Sequence, residues 1–141
     1  MITEDYVSFE TAKLLKEKGF DERCFSFYWS DGSLDANSHD KKTNLRNSTS
    51  SNPVAPTLQM AMKWLREVYK LHISVIPNPL SWEHQDIQDG WGCEVTHLSD
   101  LSYDGNYEFF QKKYQTYESA CEAAIKYCLE NLIYLTANYN L

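Results

Sequence analysis

The sequence is poor in the features that build nucleotide, catalytic and cofactor sites. It contains five glycines among 141 residues, and no glycine-rich loop that follows a strand and opens a helix to hold phosphates. Gly90 and Gly92 flank Trp91, but they stand in a different context. A Gly-x-Ser-x-Gly nucleophile motif is also missing. We therefore expect no cofactor and favour a function other than catalysis.

Positive charge is scarce. Lys and Arg number 13 against 20 Asp and Glu, which gives a formal net charge of -7. Non-specific nucleic-acid binding depends on clustered cations that displace counterions from phosphates. The charge balance therefore argues against nucleic acid as the main partner of this chain.

The four cysteines lack the pairing typical of metal sites and disulfide frameworks. No Cys-x-x-Cys occurs, and Cys121 and Cys128 lie seven residues apart, as they would on one helical stripe. Cys93 and His97 share a face of a predicted strand, but about 13 Å of strand separates them, so we predict no metal site there. Without a signal peptide or a membrane-length apolar run, the sequence predicts a cytoplasmic protein with reduced thiols and no membrane partner.

The clearest pattern that is present is an apolar stripe near the end of the sequence. Its members follow the spacing i, i+3, i+4, i+7, i+8 and i+11, and they are Cys121, Ala124, Ile125, Cys128, Leu129 and Leu132. This spacing places them on one face of an α-helix. Thr116 is well placed to cap its first turn. We predict a helix over 116–135 that packs against a core.

Capping and alternation predict the remaining elements. Ser8 begins a first helix that Gly19 ends, and Thr57 after Pro56 begins a second helix that extends to about residue 71 with Val68 among its apolar positions. Apolar alternation predicts strands over 24–29, 72–76, 91–98 and 106–113. The stretch 31–56 is rich in Asn, Ser and Asp, which predicts a long polar loop that is mobile in part.

These elements predict a single α+β domain over residues 1–141, in the order α-β-loop-α-β-β-β-α. We expect an antiparallel sheet of three or four strands packed on one face by two main helices, over 57–71 and 116–135. The first helix and the strand over 24–29 are expected to extend one edge of that sheet.

Three segments of the sequence resemble a family of small uncharacterised proteins from bacterial and phage genomes. They are the nine residues that end at Phe20, the five that end at Glu67 with Ile73 after them, and the stretch from Thr116 through Leu132. The resemblance covers most of the chain apart from the polar loop. It implies a phage-associated protein and carries no assigned activity.

Residues 57–135 also resemble the double-stranded RNA-binding domain in their order of elements. Thr116 and Ala120 match Ser and Ala positions of that domain's last helix, whereas Tyr117 and Glu118 stand where the family has phosphate-gripping lysines. The resemblance implies the topology and an alternative function as a degenerate nucleic-acid module. Its binding face would be formed by Lys63, Arg66, Lys70, Lys112 and Lys113.

An acidic stretch that carries tryptophan is the main candidate for function. Its residues are Trp82, Glu83, Asp86, Asp89, Trp91, Asp100 and Asp104. Trp is a favoured anchor at protein interfaces, and carboxylates steer a basic partner towards them. We predict a non-enzymatic module that binds an unknown protein through this surface, the alternatives being a solvated loop or a homodimer interface that also uses Tyr28 and Trp29.

Overall fold

The computed structural model describes residues 1–36, 45–79, 88–99 and 107–133. The elements are α1 (Phe9–Glu17), β1 (Phe27–Tyr28), β2 (Leu34–Asp35), α2 (Leu58–Tyr69), β3 (Leu71–Pro79), β4 (Gln88–His97), β5 (Tyr107–Tyr114) and α3 (Tyr117–Tyr127), which a π-helical turn (Cys128–Leu132) continues. The predicted α+β class is confirmed, and so is the packing of helices on an antiparallel sheet.

The main sheet is a three-stranded antiparallel meander in the order β3-β4-β5. Its register pairs Leu71 with His97 and Val75 with Cys93. Ile73 and Val95 are buried beneath the helices, because α2 packs on β3 while α3 packs on both β3 and β4. The core therefore lies between one face of this sheet and the two main helices.

The strand β3 is longer than predicted. The predicted strand ended at Ile76, but pairing with β4 continues through Pro77 and Pro79, with a register shift between them. β3 is an edge strand, where a proline needs no partner for its missing N–H. The strand therefore tolerates both prolines.

The first helix begins and ends as its sequence predicts. The Ser8 side chain accepts a hydrogen bond from the N–H of Thr11 at 3.1 Å. At the other end Gly19 has φ of +95°, and the N–H of Phe20 donates to the Leu15 carbonyl at 2.8 Å. This is the Schellman arrangement, in which Phe20 folds back on Leu15 and both side chains are fully buried.

A residue from α3 completes the cap of α1. Glu122 Oε1 accepts from the N–H of Ser8 at 3.1 Å and from Thr11 Oγ1 at 2.6 Å. In a capping box this position is held by a glutamate three residues into the same helix. Here the glutamate comes from more than a hundred residues away, so one contact both caps α1 and joins it to α3.

The second helix packs its predicted core face, with one exception. Leu58, Ala61 and Leu65 are buried, but Val68 is 53% exposed, so its prediction as a core residue was wrong. Trp64 is buried instead, at 6% exposure. On the helical wheel Val68 falls between Ala61 and Trp64, within the buried arc, but it lies in the last turn of α2, where the side chain stays open to solvent.

The N-terminal strand does not extend the main sheet, which corrects that prediction. β1 pairs with β2 in a separate two-stranded sheet, and Phe27 also bridges to Val54. Residues 45–56 belong partly to the core, although they were predicted to be a polar loop. Asn47 and Val54 are buried, and Cys24 bridges to Leu45. Residues 37–44 lie outside the described ranges.

The last helix changes its hydrogen-bonding pattern after Tyr127. A π-helical turn over Cys128–Leu132 replaces the continuous α-helix that was predicted, with the N–H of Ile133 donating to the Cys128 carbonyl. Leu129 and Leu132 remain buried, so the predicted apolar stripe is confirmed up to Leu132. Residues 134–141 lie outside the described ranges.

Candidate functional site

The acidic stretch that the sequence proposed falls mostly outside the described residues. Trp82, Glu83, Asp86, Asp100 and Asp104 lie there, and for Asp89 the backbone alone is described, in β4. The prediction of an interaction surface at these residues therefore stays a prediction.

The described member of that surface, Trp91, packs against α3 with part of its surface exposed. Its ring is half-buried and meets the Tyr117 ring of α3 edge-on, at a centroid distance of 5.5 Å. Of the aromatic residues proposed for a homodimer, Tyr28 is buried and its hydroxyl donates to the Val7 carbonyl at 2.6 Å. Trp29 is 47% exposed and contacts Phe27.

The basic residues of the alternative nucleic-acid face differ in exposure. Lys63, Lys70 and Lys113 are exposed, Arg66 is half-buried, and the Lys112 side chain lies outside the described part of the structure. Lys63 lies beside two arginines from other segments, Arg23 and Arg46, rather than within a stripe of lysines along α2. The sequence did not predict this grouping.

These three cations line a groove of about 420 Å³ along α2. Its apolar surface is a row of side chains spaced four residues apart, Met60, Trp64 and Val68. Met60 is 39% exposed and Val68 is 53% exposed, so both present apolar surface to solvent. Trp64 lies between them at the bottom of the groove.

Trp64 is held rigidly in this position. Its ring meets the Phe20 ring at 5.3 Å and the Tyr69 ring at 5.2 Å, both edge-on. The Tyr69 hydroxyl donates to the Lys18 carbonyl at 3.2 Å, at the end of α1. The bottom of the groove is thus part of the core, and it is preformed rather than created by a ligand.

The opposite wall comes from two segments far apart in the sequence. Arg23 precedes Cys24, Arg46 follows Leu45, and the backbones of Cys24 and Leu45 exchange hydrogen bonds at 2.9 and 3.0 Å. The pairing therefore sets both arginines beside α2. Two carboxylates, Glu22 and Glu67, complete the rim, so the lining carries three cations and two anions.

The cations of the groove have no ion-pair partner within the described residues. The ion pairs found there join Lys126 to Glu10 and to Glu130, on the side of the molecule where α1 meets α3. Arg46 helps to lower the pKa of Asp21, but hydrogen bonds from Ser48 are the larger causes. The lining thus carries one more cation than anions, and none of its cations forms an ion pair with a described residue.

A smaller cavity of about 110 Å³ adjoins the groove. It shares Arg23 and Met60 with the groove, and it is also lined by Cys24 and by Phe25, which is 56% exposed. The Cys24 Sγ lies 3.9 Å from the Met60 Sδ. Together the two cavities form an apolar surface bordered by arginine and lysine.

The chemistry of the lining favours binding rather than nucleophilic attack. Burial, and then the charge of Glu22, raise the pKa of the Cys24 thiol to about 12, so it stays protonated at neutral pH. Among residues 1–36, 45–79, 88–99 and 107–133, no three His, Cys, Asp or Glu side chains are grouped as metal ligands. No helix in those ranges is long and apolar enough to span a membrane.

Comparison with known proteins finds no significant match to a family model, to a curated protein or to a solved structure.

Sequence reasoning missed this site, although part of its signal was readable. Met60, Trp64 and Val68 follow the spacing i, i+4, i+8, which forms a second apolar stripe beside the core stripe of α2. A stripe wider than one buried face is a sign that a helix has two apolar neighbours. The contribution of Arg23 and Arg46 had no such signal, because it depends on tertiary pairing.

Proposed function

We propose that this chain is a protein-interaction module that binds a segment of another protein in the groove along α2. The observation that carries the proposal is the pair Met60 and Val68, which stay exposed on either side of the buried Trp64. Large apolar side chains around a rigid aromatic floor, with a charged rim, are the arrangement that supplies most of the affinity at protein interfaces.

The groove is large enough to admit the anchoring side chains of a partner segment. Its volume of about 420 Å³ falls within the range of roughly 300–1,000 Å³ that is usual for small-molecule pockets. Its floor is fixed by the rings of Phe20 and Tyr69, so little conformational freedom is lost when a partner binds.

Photo-crosslinking tests the proposal. Met60 is replaced with a benzophenone-bearing phenylalanine derivative, and Ile76 serves as the matched control because it is a similarly exposed apolar residue, at 43%, that does not line the groove. After irradiation in the native cell, the partner in the crosslinked product is identified. That partner is then produced and purified on its own, and its affinity for variants of this chain is measured by titration. We expect crosslinks from position 60 that are absent from position 76.

The titration decides the outcome. Val68→Gln is expected to lower the affinity for the purified partner at least about tenfold, whereas Ile76→Gln should change that affinity by less than about twofold. Equal crosslinking from both positions, or an affinity that Val68→Gln leaves unchanged, would show that the partner binds elsewhere.

The other functional expectations remain proposals. The acidic stretch around Trp82 and Asp86 is proposed as a second contact surface for a basic partner. We also propose that the protein is cytoplasmic and phage-associated. It forms a homodimer if the acidic surface is self-complementary. The nucleic-acid alternative is supported by the α-β-β-β-α order over α2 to α3 and by the exposure of Lys63 and Lys70. An affinity for duplex RNA that falls steeply with salt would favour it.

A further inference from the structure

The apolar row of the groove has the geometry of a helix-packing ridge. Met60, Trp64 and Val68 are spaced four residues apart, so the row rises about 12 Å along the axis of α2. Rows of this spacing pack against the corresponding row of a second helix, which is the commonest mode of helix packing. A groove built along such a row accommodates about two turns of a partner helix.

The charges beside the row favour one sign of charge on the partner helix. In the lining Arg23, Arg46 and Lys63 exceed Glu22 and Glu67 by one charge, and the three cations form no ion pair with a described residue, although Arg46 also interacts electrostatically with Asp21 outside the lining. Arginine forms two parallel hydrogen bonds with a carboxylate, which makes acidic side chains the matching chemistry at this rim.

This local excess stands against a net charge of -7 for the whole chain. At physiological salt the Debye length is about 8 Å, so a bound segment feels the rim charges more strongly than distant carboxylates. The charge of the rim therefore weighs more on a bound segment than the net charge of the chain does.

We infer that the segment bound in the groove is an acidic amphipathic helix, whose apolar stripe packs on Met60 and Val68 while its flanking carboxylates meet Arg23, Arg46 and Lys63. The inference rests on the proposed function, and it names the chemistry of the partner segment. The carboxylates give register and association rate, and the apolar stripe gives affinity.

Nuclear magnetic resonance titrations of the isotope-labelled full chain test the inference with three synthetic peptides of roughly 16 residues, long enough to form helix. The first has a leucine stripe at helical spacing and glutamate flanks. The second keeps the stripe with lysine flanks, and the third keeps the glutamates but scatters the leucines. We expect the first peptide to shift the amides of Arg23, Arg46 and residues 60–68, with a Kd at least about tenfold below that of the other two.

Two charge reversals sharpen the test. Lys63→Glu and Lys13→Glu change the net charge equally, but Lys13 lies over the Phe9 ring on α1 and does not line the groove. We expect Lys63→Glu to lower the affinity for the first peptide at least about fivefold, and Lys13→Glu to change that affinity by less than about twofold.

The outcomes separate the inference from the proposed function. Equal or tighter binding of the lysine peptide in the groove would overturn the acidic partner while leaving the groove a protein-binding site. If an RNA duplex shifts the same amides and none of the peptides does, the inference is overturned and the nucleic-acid alternative is favoured. If no peptide binds there and crosslinking from position 60 also fails, both proposals are wrong.

Discussion

Replacing Asn47 with alanine tests whether residues 45–56 are part of the folded core. Asn47 is 9% exposed, and its side-chain amide bridges two backbone segments. Its Nδ2 donates to the Phe20 carbonyl at 2.8 Å, and its Oδ1 accepts from the N–H of Val54 at 3.1 Å. Phe20 and Val54 are both fully buried, so neither backbone group has ready access to water.

The cost follows from these two hydrogen bonds. A buried donor or acceptor left without a partner costs about 1–3 kcal/mol, and Asn47→Ala orphans one of each. Water that enters the space left by the amide offsets part of this, so we expect a loss of about 3 kcal/mol in the free energy of unfolding. For a chain of this size that loss lowers Tm by roughly 10 °C.

Urea unfolding followed by tryptophan fluorescence measures the effect. Ser51→Ala, at an exposed position in the same segment, is the matched control and is expected to stay within about 0.5 kcal/mol of the parent. The midpoint should fall without a change in slope, because a change in slope signals altered compactness. A loss below about 1 kcal/mol for Asn47→Ala would refute the view that this amide holds the segment in the core.

Three further predictions concern other parts of the fold. Lys70 has φ of +58° at the end of α2, so Lys70→Gly should raise stability by about 0.5–1 kcal/mol in thermal unfolding and Lys70→Ala should not. Glu122→Ala should lose about 1–2 kcal/mol and speed amide exchange at Ser8, while Glu122→Gln, which keeps an acceptor, loses less. Burial raises the pKa of Cys93 and Cys121 from 9.0 to about 11, so unfolding favours their deprotonation above pH 9. The free energy of unfolding should therefore keep their full contribution below pH 9 and fall from pH 9 to 11, less steeply in Cys121→Ala. A urea midpoint that is flat over that pH range would contradict the last prediction.

The parts of the fold that sequence predicted well are set by local chemistry. The caps at Ser8 and Thr57 and the left-handed turn at Gly19 each depend on hydrogen bonds within a few residues. The stripe of α3 depends on spacing alone. Such features are readable because the residues that cause them are neighbours in the chain.

The misplacement of Val68 has a tertiary cause. Helical spacing places Val68 between the buried residues Ala61 and Trp64, so spacing alone predicts that it is buried. The segments that carry Arg23 and Arg46, 45 and 22 residues earlier in the chain, form the wall of the groove here, and they leave Val68 open while Trp64 is covered by Phe20. The sequence therefore identified an apolar position but not its partner.

The stretch 31–56 was predicted as a loop because its composition is polar. Composition reports how a side chain behaves in water, whereas Asn47 is buried because its amide replaces water for two backbone groups. β2, which lies in this stretch, is only two residues long, too short for alternation to be recognised. Polar residues that satisfy buried backbone groups carry no periodic signal.

The same polar contacts shape the candidate site. Arg46 lies next to Asn47, and the N–H of Ser48 donates to Asp21 Oδ1 at 2.8 Å, so Asn47 and Ser48 are both attached to residues 20–21. This attachment, together with the Cys24 and Leu45 pairing, sets Arg46 beside Arg23. The wall of the groove is therefore a consequence of the hydrogen bonds that bury a polar segment. A segment held in this way costs little further ordering when a partner binds, which is the physical reason for assigning recognition to this groove rather than to the exposed aromatic surface around Trp29.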